Sequence, residues 1–132
     1  MTTHPAPVAW RSLATLTLLV IAPLVCGCLS TQGKTDAAKD VVQRFFAALP
    51  EGDCAELGPM LAPDPKGRSC EEVVAEYNAH DVRLLSVENA LPDGRNEDAI
   101  MVRTRLSQQG KEQGQITVLR VVRHQGEWRL SP

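Results

Sequence analysis

An excess of positive charge is the first thing this chain does without. Fourteen Lys and Arg stand against sixteen Asp and Glu, giving a formal net charge of -2 and a pI near 5.9. The cations are scattered among the acids, so no basic face is offered to a phosphate backbone, and nucleic acid is excluded as a partner. Gly-rich phosphate loops, nucleophile elbows and zinc-ligand spacings are missing too. The only histidines are His4, His80 and His124, which leaves a Cys-x-Cys pair at Cys26 and Cys28 without a second half-site at metal-binding spacing. Neither a metal nor a cofactor is therefore expected. No apolar run reaches the ~20 residues of a bilayer-spanning helix. The longest, "LATLTLLVIAPLV" at Leu13 to Val25, fits the roughly 7 to 15 residues of a signal-peptide core instead. With 132 residues and 14.4 kDa the chain has room for one domain at most. Its 43% hydrophobic and 23% charged residues rule out disorder throughout.

What is present begins with a single cation, Arg11, then the apolar run, then "VCGC". Val25-Cys26-Gly27-Cys28 resembles the bacterial lipobox, with an aliphatic residue three before the essential cysteine and a small residue just before it. The resemblance implies that a diacylglycerol alkylates the Cys28 thiol and that signal peptidase II cuts before it, the adjacent Gly27 leaving room in the enzyme's site. Cys26 does not suit that frame, because bulky Val25 precedes it and Pro23 takes the aliphatic place; its presence inside the box is the departure from the pattern. An uncleaved anchor and a soluble secreted product are the alternatives. On this resemblance residues 1-27 are a lipoprotein signal peptide, 28-35 a lipid anchor and polar tether, and 36-132 the folded domain. The partner of the N-terminus is then a membrane in the bacterial cell envelope, and Leu29 in place of Asp points by enterobacterial sorting to the outer membrane. Once Cys26 leaves with the signal peptide and Cys28 takes lipid, Cys54 and Cys70 remain in an oxidising compartment. A disulfide between them would close a loop of roughly 16 residues, a contribution of ~3 kcal/mol in the chain-entropy account; two buried free thiols are the alternative.

Beyond the tether, Thr35 or Asp36 can cap a helix whose apolar positions Val41, Val42, Phe45, Phe46 and Leu49 recur at helical spacing, with Pro50 and Gly52 as its stop. Asp53 can cap a shorter helix over "CAELGPMLA", weakened by Gly58-Pro59. Ser69 and Glu72 have capping-box spacing ahead of Val73, Val74 and Tyr77. From Asp81 the period changes. "DVRLLSVENAL" and "AIMVRTRL" flank a "PDGR" turn as a hairpin, a polar stretch "SQQGKEQGQ" follows, and "ITVLRVVRH" turns at Gln125-Gly126 into "EWRL". Helices followed by an antiparallel meander make the expected class α+β.

From about Ala37 to Leu130 this order resembles the nuclear transport factor two-like fold, especially its small bacterial lipoproteins of unknown function, and the terminal "GEWRL" is the most telling piece. The resemblance implies N-terminal helices wrapped by a curved antiparallel sheet in a cone with a cavity at its open end. It also implies an inward Trp128 and Leu130 after the Gly126 turn. On that basis Trp128 is expected in the core against the first helix, near Phe45 or Phe46.

Enzymes of that superfamily set Asp, His and Tyr inside the cone for proton transfer, and the nearest set here is Tyr77, His80 and Asp81. "YNAHD" falls where the third helix should end, so His80 is expected to contact the helix C-terminus and Asp81 to start the next strand in solvent. The three are candidate pocket residues with no catalytic role assigned. Arg103, Arg105, Arg120 and Arg123 could form a cationic stripe, or simply a solvated sheet face. Asp53, Glu56, Glu71, Glu72 and Glu76 do not form the opposed pair that glycoside hydrolysis needs. The function expected from these residues is a membrane-tethered, non-enzymatic domain that binds a small apolar ligand or an envelope protein; an isomerase- or lyase-like enzyme is the alternative. Cys28→Ala should leave an unlipidated precursor and Cys26→Ala should be processed normally, as read by labelled palmitate and the mass of the mature N-terminus. Label that survives Cys28→Ala and vanishes in Cys26→Ala would overturn this frame.

Overall fold

The computed structural model describes Met1 and residues 30-132; the signal-peptide, Cys26 and Cys28 readings lie outside the described residues. A long helix α1 (Thr31–Ala48) is followed by α2 (Cys54–Leu57) and α3 (Cys70–Ala79), then by strands β1 (Arg83–Asp93), β2 (Asn96–Gln108), β3 (Lys111–Glu112), β4 (Thr117–His124) and β5 (Glu127–Ser131). The strands form one antiparallel sheet in the order β1-β2-β4-β5, with β3 paired to the end of β2. The class is α+β, with α1 packed on one face of the sheet.

Alternation along β2 creates that face. Ile100, Val102, Thr104 and Leu106 are buried, and they meet Val42, Phe45 and Leu49 of α1, which recur at helical spacing and are also closed to solvent. Leu119 and Val121 of β4 and Leu130 of β5 extend the same layer. Thr104 is a fully buried polar residue, tolerated because its hydroxyl donates to the Thr117 carbonyl at 3.0 Å. Beside β5 the chain supplies one further pairing: Leu61 bridges Leu130 in parallel, and the Ala62 N–H donates to the Leu130 carbonyl at 2.8 Å. That contact shields part of an otherwise open sheet edge.

Cys54 and Cys70 form a disulfide with Cα atoms 6.0 Å apart. It joins the first residue of α2 to the first residue of α3, across a loop that contains Pro63, Pro65 and Gly67.

Several expectations need correction. Helix α1 begins at Thr31, inside the segment assigned to the tether, because Ser30 rather than Thr35 or Asp36 is the cap: its hydroxyl accepts from the Gly33 N–H at 3.3 Å. Thr35 is consequently an interior helical residue, buried, with its hydroxyl bonded to the Gln32 carbonyl. The polar stretch after β2 is not a plain connection, since Ser107 and Gln108 pair with Glu112 and Lys111 around a turn at Gln109-Gly110. Trp128 is half-buried at the edge of the core and lines a groove with Ala37, Val41 and Met60. Leu130, two residues on, takes the fully buried position. The four arginines divide as well: Arg103, Arg105 and Arg120 share the outer face, whereas Arg123, an odd number of residues from Arg120, points the other way opposite Trp128. On the outer face Arg105 pairs with Glu88 and Glu112, and Arg120 lies 3.6 Å from Asp93.

The sheet-facing side of α1 carries the largest buried ring, so Phe45→Ala should cost ~3 to 5 kcal/mol and half-buried Trp128→Ala clearly less. Urea unfolding of both variants checks the order. Equal losses would place Trp128 in the core after all.

Candidate functional site

At the C-terminal end of α3, three separate stretches converge. The helix starts with the capping box expected from its spacing: the Ser69 hydroxyl accepts from the Glu72 N–H at 3.2 Å, and the Glu72 carboxylate accepts from the Ser69 N–H at 2.8 Å. It stops at His80, the C-cap, after which Asp81 takes a left-handed φ of 45° and the chain turns into β1. The His80 carbonyl accepts from the Gln109 N–H at 3.1 Å, which ties the end of β2 to the end of α3 and brings Gln108 alongside. Asn78 reaches the other way, its amide donating to the Leu49 carbonyl at 2.9 Å, so the C-termini of α1 and α3 are also tied together.

The loop before α3 supplies the third wall. Asp64 accepts from the Lys66 N–H at 2.9 Å, and the Gly67 N–H bonds to the Asp64 carbonyl, in a turn that uses the positive φ of Gly67, 73°. Arg68 then bridges Asp64 and Glu76, fastening the loop to the helix. Only 2% of the Asp64 side chain is exposed. The Lys66 amide, and after it the Arg68 guanidinium, hold its carboxyl below the usual carboxylate range, while Asp64 in turn raises Arg68.

Between these walls lies an open depression of about 300 Å³ lined by Lys66, Arg68, Glu76, Tyr77, His80, Val82, Gln108 and Pro132. Tyr77 forms its floor. Its ring stands edge-on to Phe45 and Phe46, with centroids 5.8 and 5.9 Å away, so the aromatic core runs directly into the site. Burial, and next to it the neighbouring Glu76 carboxylate, push the Tyr77 phenol above its ordinary value. It is a neutral hydrogen-bond donor at any physiological pH.

Tyr77 and His80 are thus brought together, as expected from their sharing a helix face, but Asp81 is not. Its carboxylate pairs with Arg83 at 2.8 Å, half exposed, and does not line the depression. The backbone reversal at Asp81 is the reason: the residue that ends the turn points away from the helix face it follows. Lys66, Arg68 and Gln108 carry no signal in the sequence, because they reach the site through a loop turn and a strand pairing. Among the described residues no helix is long and apolar enough to cross a membrane, and no group of three or more His, Cys, Asp or Glu is placed to hold a metal ion.

A second depression of about 400 Å³ runs beside the middle of α1, between Ala37, Asp40, Val41 and Arg44 on one side and Gly126, Glu127 and Trp128 on the other, with Pro59 and Met60 also lining it. Asp40 and Arg44 pair across one helical turn at 2.8 Å. Compared with known proteins, the chain matches no family model and no curated protein.

Because burial raises Tyr77, its contribution to stability should be intact below the unfolded phenol's pKa of ~10 and fall as the pH rises above it. Ultraviolet titration of the folded protein should place its midpoint above that of a denatured sample. Coincident midpoints would mean that the ring is not held in the core.

Proposed function

We propose that this chain is a lipid-anchored lipoprotein of the bacterial cell envelope, probing its surroundings with a nuclear transport factor two-like domain that binds a small polar molecule or a polar peptide segment without transforming it. The order of a long helix, two shorter helices and an antiparallel sheet supports the family reading, as does the fully buried Leu130 after the Gly126 turn. The anchor rests on the Val25 to Cys28 box, and Leu29 in place of Asp argues for the outer membrane.

The observation that carries the binding reading is the state of the charged groups around Tyr77. Glu76 and Asp64 are both engaged by Arg68, and Asp81 by Arg83, so the nearby carboxylates are committed as ion-pair acceptors and not poised as bases. What the depression presents is a set of donors: the Tyr77 phenol, Gln108, Lys66 and the His80 ring, over an aromatic floor. Such a set recognises oxygen-rich ligands. It suits an oxygen-rich ligand better than the small apolar ligand that the cone resemblance suggested.

Native mass spectrometry of the protein extracted from its own membranes tests this. A bound polar species should be present, and His80→Ala, which removes an exposed side chain, should weaken it roughly tenfold, the ~1.4 kcal/mol of one hydrogen bond. Asp81→Ala should leave it unchanged. A ligand that is chemically converted on incubation would instead establish an enzyme.

A further inference from the structure

Helix α1 starts closer to the lipobox than a tethered domain requires. Ser30 is already its cap, so between Cys28 and the folded body the chain spans at most about 7 Å, two residues at full extension. If Cys28 carries the lipid, as proposed above and as this inference requires, the domain has no slack with which to stand away from the bilayer.

The fold then determines which end faces the lipid. Helix α1 is 18 residues long, or about 27 Å. Its C-terminal end lies at the Tyr77 depression, through the bond from Asn78 to Leu49. Its middle, from Ala37 to Arg44, lies beside the β4–β5 turn in a groove with Gly126, Glu127 and Trp128. Ala37 is seven residues from the cap, roughly 10 Å along the axis. The groove at the β4–β5 turn is therefore the nearer of the two to the anchor.

The surface near the anchor has the character of an interfacial contact. Trp128 is only half-buried, although it packs on the core, and its cross-strand partner is the exposed Arg123. Pro59 continues the apolar side of the groove above buried Met60, and Asp40, Arg44 and Glu127 form its charged side. A ring with one side in protein and the other open, next to a long cationic side chain, suits the zone between lipid headgroups and acyl chains, where Trp is enriched and Arg can reach phosphate. From these observations we infer that the β4–β5 hairpin, with Trp128 and Arg123, rests on the headgroup layer of the bilayer that holds the Cys28 lipid. The Tyr77 depression is thereby directed into the aqueous envelope. The short connection keeps the contact in place, since it holds the hairpin at high effective concentration near the surface even if its own affinity for lipid is weak.

Trp128 supplies its own readout, because the only other tryptophan, Trp10, precedes Cys28 and leaves with the signal peptide. The mature lipidated protein is placed in phosphatidylcholine and phosphatidylglycerol vesicles that contain a lipid with a nitroxide on its headgroup. Most of the Trp128 fluorescence should be lost relative to the same vesicles without nitroxide. Insertion of a flexible Gly/Ser linker of about 20 residues between Leu29 and Ser30, with a mean span of roughly 25 Å, should restore the fluorescence while leaving flotation with the vesicles unchanged. Trp128→Phe combined with Lys111→Trp places the reporter on β3, near the other end, and should stay bright. Unquenched Trp128 in protein that floats with the vesicles overturns the seating and leaves the lipid anchor standing. A protein that does not float and whose N-terminal mass carries no lipid overturns both.

Discussion

The packing of one face of α1 on the inner face of the sheet is the constraint from which the rest of this structure follows. Val42, Phe45 and Leu49 can leave water together only if Ile100, Val102, Val121 and Leu130 stand opposite them, and all seven are closed to solvent. In a domain of about 100 residues, stability is a small difference between large terms, so this one interface fixes the position of every other element. The disulfide acts on a different part of the ledger. It ties α2 to α3 and limits the unfolded chain, but it does not place either helix on the sheet.

The same packing sets the geometry of the candidate site. Phe45 and Phe46 lie on α1, and Tyr77 of α3 meets both rings, so the last turn of α3 has to lie over the end of α1. Once it does, Asn78 satisfies the Leu49 carbonyl and the His80 carbonyl receives the Gln109 N–H. Helix ends need such partners. Here the bond from Gln109 to His80 also delivers Gln108, and Tyr77 and His80 belong both to the junction and to the lining of the depression.

The two ends of α1 differ. One is capped by Ser30, and the other lies at the Tyr77 depression through the bond from Asn78 to Leu49. The outer sheet face is of another kind. It carries Leu91 and Val118, each about half exposed, among arginines that are partly neutralised by Glu88, Glu112 and Asp93, and it remains a solvated surface with scattered apolar residues.

Local rules were enough for much of this. The α1 stripe from Val41 to Leu49, the Ser69–Glu72 capping box and the alternation of β2 each express a period or a cap that neighbouring residues define among themselves. The sequence could therefore determine the class and the main hairpin, whereas the pairing of Cys54 with Cys70 is an expectation that follows from the lipobox resemblance. Thr35 or Asp36 is the expected cap of α1; Ser30 is an equally good cap residue and is the one used, with Thr35 and Ala38 buried inside the longer helix. Only tertiary structure decided that Trp128 lies at the edge while Leu130 lies in the centre, because both point to the same face of β5 and differ solely in what stands opposite. It also separated Asp81 from Tyr77 and His80 through one left-handed residue, and it recruited Lys66, Arg68 and Gln108 from a loop and a strand end. Contacts between residues far apart in the chain leave no periodic trace along it, and the depression is made of such contacts.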